Sequence, residues 1–255
     1  MSGSHAHALY YHGHSPVHRL APEAKLLAQV VFILIVVATP REAFWAFALY
    51  GSIVLACAAI AEVPIAYLLR RLTIEIPFVA FALFLPLIGR GERIDVLGVS
   101  LSVEGLWGAW NILVKATLGV LASSLMAATT TMAEFLVGFD RLKMPRAFTS
   151  IASFMVRYMD VIADDVRRMR IARLSRGYEG RWIWQAKAIG RTAGALFIRA
   201  YERGERVYLA MLARGYEGAM PELGERHADR RDWSVALAIP ALALPICVAA
   251  WMLRP

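Results

Sequence analysis

The chain has 255 residues, 58% of them hydrophobic and only 19% charged, with a formal net charge of +8. This composition is too apolar for an ordinary soluble domain of that length. Its two cysteines, Cys57 and Cys247, lack Cys-x-x-Cys spacing and argue against redox or zinc chemistry. The basic residues are concentrated in one stretch. Attraction to anionic lipid accounts for such a stretch without a nucleic acid partner.

Residues 1–22 form a histidine-containing N-terminal tail without the apolar core of a cleavable signal peptide. Imidazole is a good ligand for cobalt, nickel and zinc, so the tail is a weak candidate for a metal site. The alternative is a solvated, flexible segment that binds nothing. The histidines concerned are His5, His7, His12, His14 and His18.

Apolar runs predict about five transmembrane helices, four within residues 23–132 and the fifth within residues 233–255. The last run, 233–253, is long enough to cross roughly 30 Å of hydrocarbon as a helix. Lys115 is the one ionisable residue well inside a predicted span. It is either functional, as such residues often are, or it extends toward the outer headgroups.

Residues 133–232 form a long basic region that holds nineteen of the 28 lysines and arginines. The positive-inside tendency places this region, and with it the N-terminus, in the cytoplasm, and the C-terminus outside. Apolar residues recur at helical spacing over residues 145–180, where Pro145 suits the first turn, and again over residues 186–214. The sequence therefore predicts an all-α membrane protein with two long amphipathic cytoplasmic helices between the fourth and fifth spans.

The region contains an internal repeat: residues 168–180 and 206–218 match at eight of thirteen positions, and both end in Arg-Gly-Tyr-Glu-Gly. A cation suits the partial negative charge of a helix C-terminus, and glycine suits the left-handed turn that ends a helix. We call Ser175-Arg176-Gly177 the first tip and Ala213-Arg214-Gly215 the second tip. Two matched tips predict two matched sockets on a partner, whereas a simpler interpretation has both arginines only capping their helices.

The two tips resemble the Ala-Arg-Gly-type signatures that close the coupling helices of the T component of energy-coupling-factor (ECF) transporters, specifically the cobalt-transport type called CbiQ. The first tip has serine where alanine is commonest. The likeness continues in the three threonines at 129–131, in Leu-Lys-Met-Pro at 142–145, and in Val-Arg-Tyr at 156–158. It covers roughly residues 20–255.

The resemblance implies a non-catalytic coupling subunit of an ATP-driven importer in the bacterial cytoplasmic (inner) membrane, most readily for cobalt or nickel. Two cytoplasmic ABC-type ATPases would dock on the tips, and a separate membrane subunit would bind the substrate. The cofactors ATP and Mg²⁺ would belong to those ATPases, in line with the lack of a Gly-x-x-x-x-Gly-Lys-Ser/Thr loop in this chain. The docking contact is expected to include Tyr178, Glu179, Tyr216 and Glu217.

Two other functions stay open. Asp160, Asp164 and Asp165 have the spacing of a magnesium–diphosphate site in an intramembrane transferase. Against that reading, Arg157, Arg167 and Arg168 lie at helical spacings that would let them neutralise the aspartates. The third possibility is a membrane scaffold that binds a soluble partner without transport.

Overall fold

The computed structural model describes residues 10–11, 13, 15–89, 92–96, 99–177, 186–218 and 228–253. They form two compact units. The membrane unit ends at Gly138 and resumes with the last helix, while the two-helix unit begins at Phe139. The elements are α1 (Pro16–Arg19), α2 (Pro22–Ala38), α3 (Phe44–Ile60), α4 (Ile65–Arg71), a 3-10 turn (Leu72–Glu75), α5 (Ile76–Ile88), β1 (Arg93–Val96), β2 (Val99–Ser102), α6 (Val103–Thr129), α7 (Met132–Arg141), α8 (Arg146–Ser175), α9 (Ala186–Leu212) and α10 (Arg230–Met252).

Three helical segments of the described chain are long and apolar enough to cross a membrane: Ile65–Ile88, α6 and α10. The α2 and α3 helices have 17 residues each, about 25 Å at 1.5 Å per residue, the lower limit for a span. The fold is therefore an essentially all-α membrane protein, as predicted.

The segment Ile65–Ile88 is interrupted by the 3-10 turn because of a proline. Pro77 has no backbone N–H to donate to the Thr73 carbonyl, and the Ile76 N–H donates to that carbonyl instead, in a tighter 3-10 bond.

The core of the membrane unit is formed by α2, α3, α6 and α10. Tyr50 is fully buried among their side chains, and Phe32 packs edge-on against its ring at 6.0 Å between centroids. The Tyr50 hydroxyl lies 3.0 Å from Thr39 Oγ1, so the buried polar group has a partner. Alanines on α2 and α10, at 24, 28 and 236, form a separate buried cluster where these helices meet.

The α5 and α6 helices pack with their backbones in direct contact. Gly105, in the first turn of α6, is buried against the backbone of Leu85 and Pro86, and a Cβ built on it would lie 2.7 Å from Pro86 Cα. Between the two helices β1 and β2 form an antiparallel hairpin in which Arg93 pairs with Ser102 and Val96 with Val99. The sequence did not predict this hairpin, because its four-residue strands show no clear alternation of apolar and polar residues.

The two-helix unit consists mainly of α8, about 45 Å long, and α9, about 40 Å long, which contact each other. The prediction of two long amphipathic helices matches these elements. Pro145 is the N-cap residue of α8 rather than a residue of its first turn. The short helix α7 was not expected, and Lys143 follows it with a left-handed φ of +60°.

Candidate functional site

The first tip is the C-terminal end of α8. Ser175 is the last helical residue, Arg176 is the C-cap residue, and Gly177 has a φ of +74°. The Gly177 N–H donates to the Leu174 carbonyl at 2.9 Å, and the Arg176 N–H donates to the Arg173 carbonyl at 3.2 Å. These bonds satisfy carbonyls that the end of the helix would otherwise leave unpaired.

The second tip has the same geometry at the end of α9. Gly215 has a φ of +82°, and its N–H donates to the Leu212 carbonyl at 3.0 Å. The Tyr216 N–H donates to the Met211 carbonyl at 3.0 Å, which completes a Schellman motif. Arg214 therefore occupies the position on α9 that Arg176 occupies on α8. The sequence repeat is a repeat of local structure.

The glycine in each tip is favoured by backbone conformation and not by lack of space. A Cβ built on Gly177 or Gly215 would have no heavy atom within 4 Å. A positive φ is costly for residues with a Cβ, although Lys143 adopts it after α7. Glycine therefore leaves the backbone beside each tip arginine bare, where a partner can approach closely.

Arg176 and Arg214 are both exposed. Among the residues that the structure describes, neither guanidinium has an ion pair or a hydrogen bond, including to the carbonyls of its own helix end. Each therefore keeps its five N–H donors, in a planar arrangement that fits a carboxylate through two parallel bonds. The two guanidinium groups can therefore bind two acidic sites on a partner.

The residues that follow the second tip differ in exposure. Tyr216 is partly buried and contributes to the wall of a groove, whereas Glu217 is exposed. Gly218 has a φ of +89°. Tyr178 and Glu179, the corresponding residues after the first tip, lie outside the described residues. Ala213 and Ser175 are exposed at the ends of their helices.

A groove of about 420 Å³ runs between α8 and α9. Its walls are mostly apolar, with Phe154, Tyr158 and Ile162 from α8 and Val207, Tyr208 and Met211 from α9. Arg203 also lines it and donates from Nη2 to Asp165 Oδ2 at 2.9 Å, an ion pair that links the two helices. The groove extends to Tyr216, two residues after Arg214.

The three aspartates of the possible magnesium site are not grouped as metal ligands. Asp160 and Asp164 are exposed, and Asp165 is paired with Arg203 on the other helix. The expected partners Arg157, Arg167 and Arg168 form no ion pair with Asp165 among the described residues; its partner comes from α9, which spacing along α8 does not reveal. Within the described ranges no group of three or more His, Cys, Asp or Glu residues is placed to hold a metal ion.

Of the five N-terminal histidines, His5, His7, His12 and His14 lie outside the described residues. His18 is only 9% exposed, so it is not solvated as a flexible tail would require. Its Nδ1 lies 2.7 Å from Ser15 Oγ and its Nε2 lies 3.1 Å from the Tyr11 carbonyl oxygen. Both ring nitrogens are therefore engaged within the chain.

Lys115 and Lys25 both use their ammonium groups to bind helix ends. Lys115 Nζ donates to the Val37 carbonyl at 2.7 Å, in the last turn of α2, where a cation is favoured. Lys25 is 7% exposed, and its Nζ donates to the Thr129 carbonyl at 3.0 Å, to the His18 carbonyl and to Thr130 Oγ1. Sequence spacing does not reveal this role of Lys25, because Thr129 and Thr130 lie more than 100 residues away along the chain.

Comparison with known proteins gives a consistent result. Residues 13–223 match the family described as cobalt transport protein, CbiQ. The chain is 28% identical over 250 residues to the energy-coupling factor transporter transmembrane protein EcfT of Bacillus subtilis, covering 92% of this chain and 94% of the relative.

Two archaeal relatives are each 27% identical to this chain. One is an uncharacterized protein of Methanocaldococcus jannaschii, for which the match covers 72% of this chain and 66% of the relative. The other is the putative fused cobalt transport protein CbiMQ of Methanocorpusculum labreanum, with 81% and 36% covered. The chain thus spans about two thirds and about a third of the length of these two relatives. Since the family match extends over most of its length, the chain belongs to the CbiQ family of cobalt transport proteins.

Proposed function

We propose that this chain is the transmembrane coupling subunit of an ATP-driven ECF-type importer, with no catalytic activity of its own. Two cytoplasmic ABC-type ATPases dock on the first and second tips, and a separate membrane subunit binds the substrate. ATP and Mg²⁺ act in the ATPases. The chain lies in the bacterial cytoplasmic membrane with its N-terminus inside and its C-terminus outside.

The observation that carries the proposal is the pair of matched tips. Arg176 and Arg214 each directly precede the left-handed glycine at the end of a helix, are exposed, and have no charge partner among the described residues. Capping alone does not need the same Tyr-Glu-Gly continuation in both copies. An acidic groove on each ATPase would complete the contact. Removing the arginine from a desolvated contact of that kind costs about 3–5 kcal/mol.

The apolar faces of α8 and α9 support a further protein partner. Phe197 is 71% exposed, Tyr201 65% and Met155 64%, and large exposed apolar surfaces mark interaction sites. The substrate-binding membrane subunit is the partner expected there. The side chains that line the groove and the Arg203–Asp165 ion pair connect α8 to α9. A displacement of one tip would therefore move both helices.

Cobalt, or nickel, is the proposed substrate. The family description and the printed name of the fused archaeal relative support it. Selectivity would reside in the separate membrane subunit. The test is uptake of radioactive cobalt and of nickel by cells that express the ATPase and the substrate-binding subunit with or without this chain.

We expect cobalt uptake only when the chain is present and its loss in the Arg176→Ala/Arg214→Ala double variant. Equal uptake with and without the chain would support the scaffold alternative. Magnesium-dependent turnover of a prenyl diphosphate by the purified chain would support the transferase alternative instead.

A further inference from the structure

A carboxyl group lies buried inside one of the membrane-spanning segments. Glu75 is the last residue of the 3-10 turn that joins α4 to α5, within the span Ile65–Ile88, and it is only 4% exposed. Ionisable residues at such positions are costly and are usually functional. Neither the family match nor the docking of ATPases uses this residue, so the inference below is independent of the proposed function.

The hydrogen bonds around Glu75 reveal which protonation state fits. Thr117 Oγ1 on α6 lies 2.9 Å from Glu75 Oε2 and 2.9 Å from the Leu113 carbonyl oxygen. A hydroxyl has one proton, which it gives to one oxygen or shares between two. If Glu75 is ionised, this single proton has to serve both short contacts. If Glu75 is protonated, its O–H donates to Thr117 and the Thr117 O–H donates to Leu113, and each contact holds one proton.

The electrostatic surroundings favour the same state. Glu75 Oε1 is buried without a hydrogen-bond partner, and among the described residues the carboxyl has no ion pair. An ionised carboxylate in such a place is expensive, whereas a neutral acid leaves only a carbonyl-type oxygen unpaired.

The 3-10 turn packs against α4, α5 and α6, whose charged groups form no ion pair with Glu75 among the described residues. On α4, Arg71 Nη2 donates to Tyr67 Oη at 3.1 Å, and Arg70 is exposed. On α6, Lys115 donates to the Val37 carbonyl, and Glu104 is exposed. The α5 helix carries no ionisable side chain. No basic group on these elements is therefore engaged in stabilising a negative charge on Glu75.

We propose that Glu75 is a proton-binding site within the membrane, a neutral carboxylic acid that donates a hydrogen bond to Thr117 and thereby joins the 3-10 turn to α6. The ligand is a single proton. Separation of the turn from α6 would break this hydrogen bond and expose the carboxyl to water, so the helix contact and the proton are coupled.

Infrared spectroscopy of the full chain in lipid vesicles at mildly alkaline pH tests the proposal, because protonated and ionised carboxyl groups absorb in different regions. We expect a carboxylic acid C=O band in the wild type that shifts in D₂O and is absent in Glu75→Gln. The glutamine amide retains the shape and the donor, so this variant should keep its thermal stability. Identical wild-type and Glu75→Gln spectra in the acid region would overturn the proposal, as would loss of an ionised carboxylate band in the variant.

Two further variants keep the result unambiguous. Glu23 is a matched control, since it is 5% exposed but its Oε1 accepts from the Ala228 N–H at 2.8 Å. Glu23→Gln should leave the acid band unchanged, and loss of the band in that variant would assign it to the wrong residue. Thr117→Val retains Glu75 and should shift the band, while an unshifted band would show that Thr117 is not its partner.

Discussion

At the scale of single residues, each tip depends on one backbone angle and one side chain. Gly215 must hold a left-handed conformation for the Tyr216 N–H to reach the Met211 carbonyl. Gly177 on α8 has the same left-handed conformation. Because the turn is local, it can be tested without any partner present.

Gly215→Ala is expected to destabilise the turn by about 1–2 kcal/mol, the cost of a left-handed residue with a Cβ. Amide exchange at Tyr216 should then accelerate roughly tenfold, since about 1.4 kcal/mol corresponds to that factor. The measurement is hydrogen–deuterium exchange followed by mass spectrometry.

Gly194→Ala is the matched control for this change. Gly194 lies inside α9, is exposed, and has no atom within 4 Å of a built Cβ. Alanine there should slow exchange in α9, because it gains up to about 1 kcal/mol in helix propensity. Equal changes in amide exchange for the two substitutions would show that Gly215 is not required for the left-handed turn.

Lys25 provides a second test at this scale. Its ammonium donates to two carbonyls and one hydroxyl, all buried. Lys25→Met retains the aliphatic stem but leaves these acceptors unpaired, and we expect a loss of about 1–3 kcal/mol in unfolding free energy. Thermal unfolding in detergent measures it, with the exposed Arg19→Met as control. An unchanged midpoint for Lys25→Met would contradict this role.

At the scale of elements, the close contact between α5 and α6 depends on Gly105. A side chain there would meet the backbone of Leu85 and Pro86, which cannot move aside as a flexible side chain can. Gly105→Ala should therefore force the helices apart and cost about 1–3 kcal/mol, as overpacking does.

Gly119→Ala in the same helix is the control, because no atom lies within 4 Å of its built Cβ. It should be neutral or slightly stabilising. Thermal unfolding of the two variants gives the comparison, and a Gly105→Ala protein as stable as Gly119→Ala would mean that the helices do not meet through their backbones.

The pairing of α8 with α9 can be measured through Arg203 and Asp165. The pair is partly exposed, at 30% and 18% of the two side chains, so its worth is limited by solvent. A double-mutant cycle with Arg203→Met and Asp165→Asn should give a coupling of about 0.5–1 kcal/mol. Asp160→Asn in place of Asp165→Asn should show none, and equal couplings would exclude a specific contact.

Local patterns determined which elements were predicted correctly. Apolar runs predicted the helices of the membrane unit, of which three are long enough to span, helical spacing predicted α8 and α9, and Arg-Gly predicted where these two helices end, because each depends on neighbours within a few residues. The roles of Lys25, Glu75 and Asp165 depend on contacts with other helices. No spacing within one segment shows such contacts. The turn at Lys143 was missed for another reason, since a lysine gives no signal for a left-handed conformation.

At the scale of the whole molecule, the chain consists of a membrane unit and a two-helix unit, which have different parts in the proposed coupling function. The membrane unit has a buried aromatic and alanine-rich core, and the two-helix unit leaves large apolar side chains and two arginine tips exposed. A protein that acts alone has no need for such surfaces. The proposed complex provides a partner for each of them.

The docking of ATPases on the tips is tested most directly by co-purification of the candidate ATPase with this chain. The variants are Arg176→Ala, Arg214→Ala and the double change. Arg168→Ala/Arg206→Ala is the matched control, because these two exposed arginines occupy equivalent positions in the repeat, eight residues before the tips.

We expect a partial loss of the ATPase with each single tip variant, a complete loss with the double tip variant, and full recovery with the control. Unchanged size-exclusion profiles would show that the chain remains folded. Full ATPase recovery with the double tip variant would contradict the proposed docking and leave both arginines as helix caps.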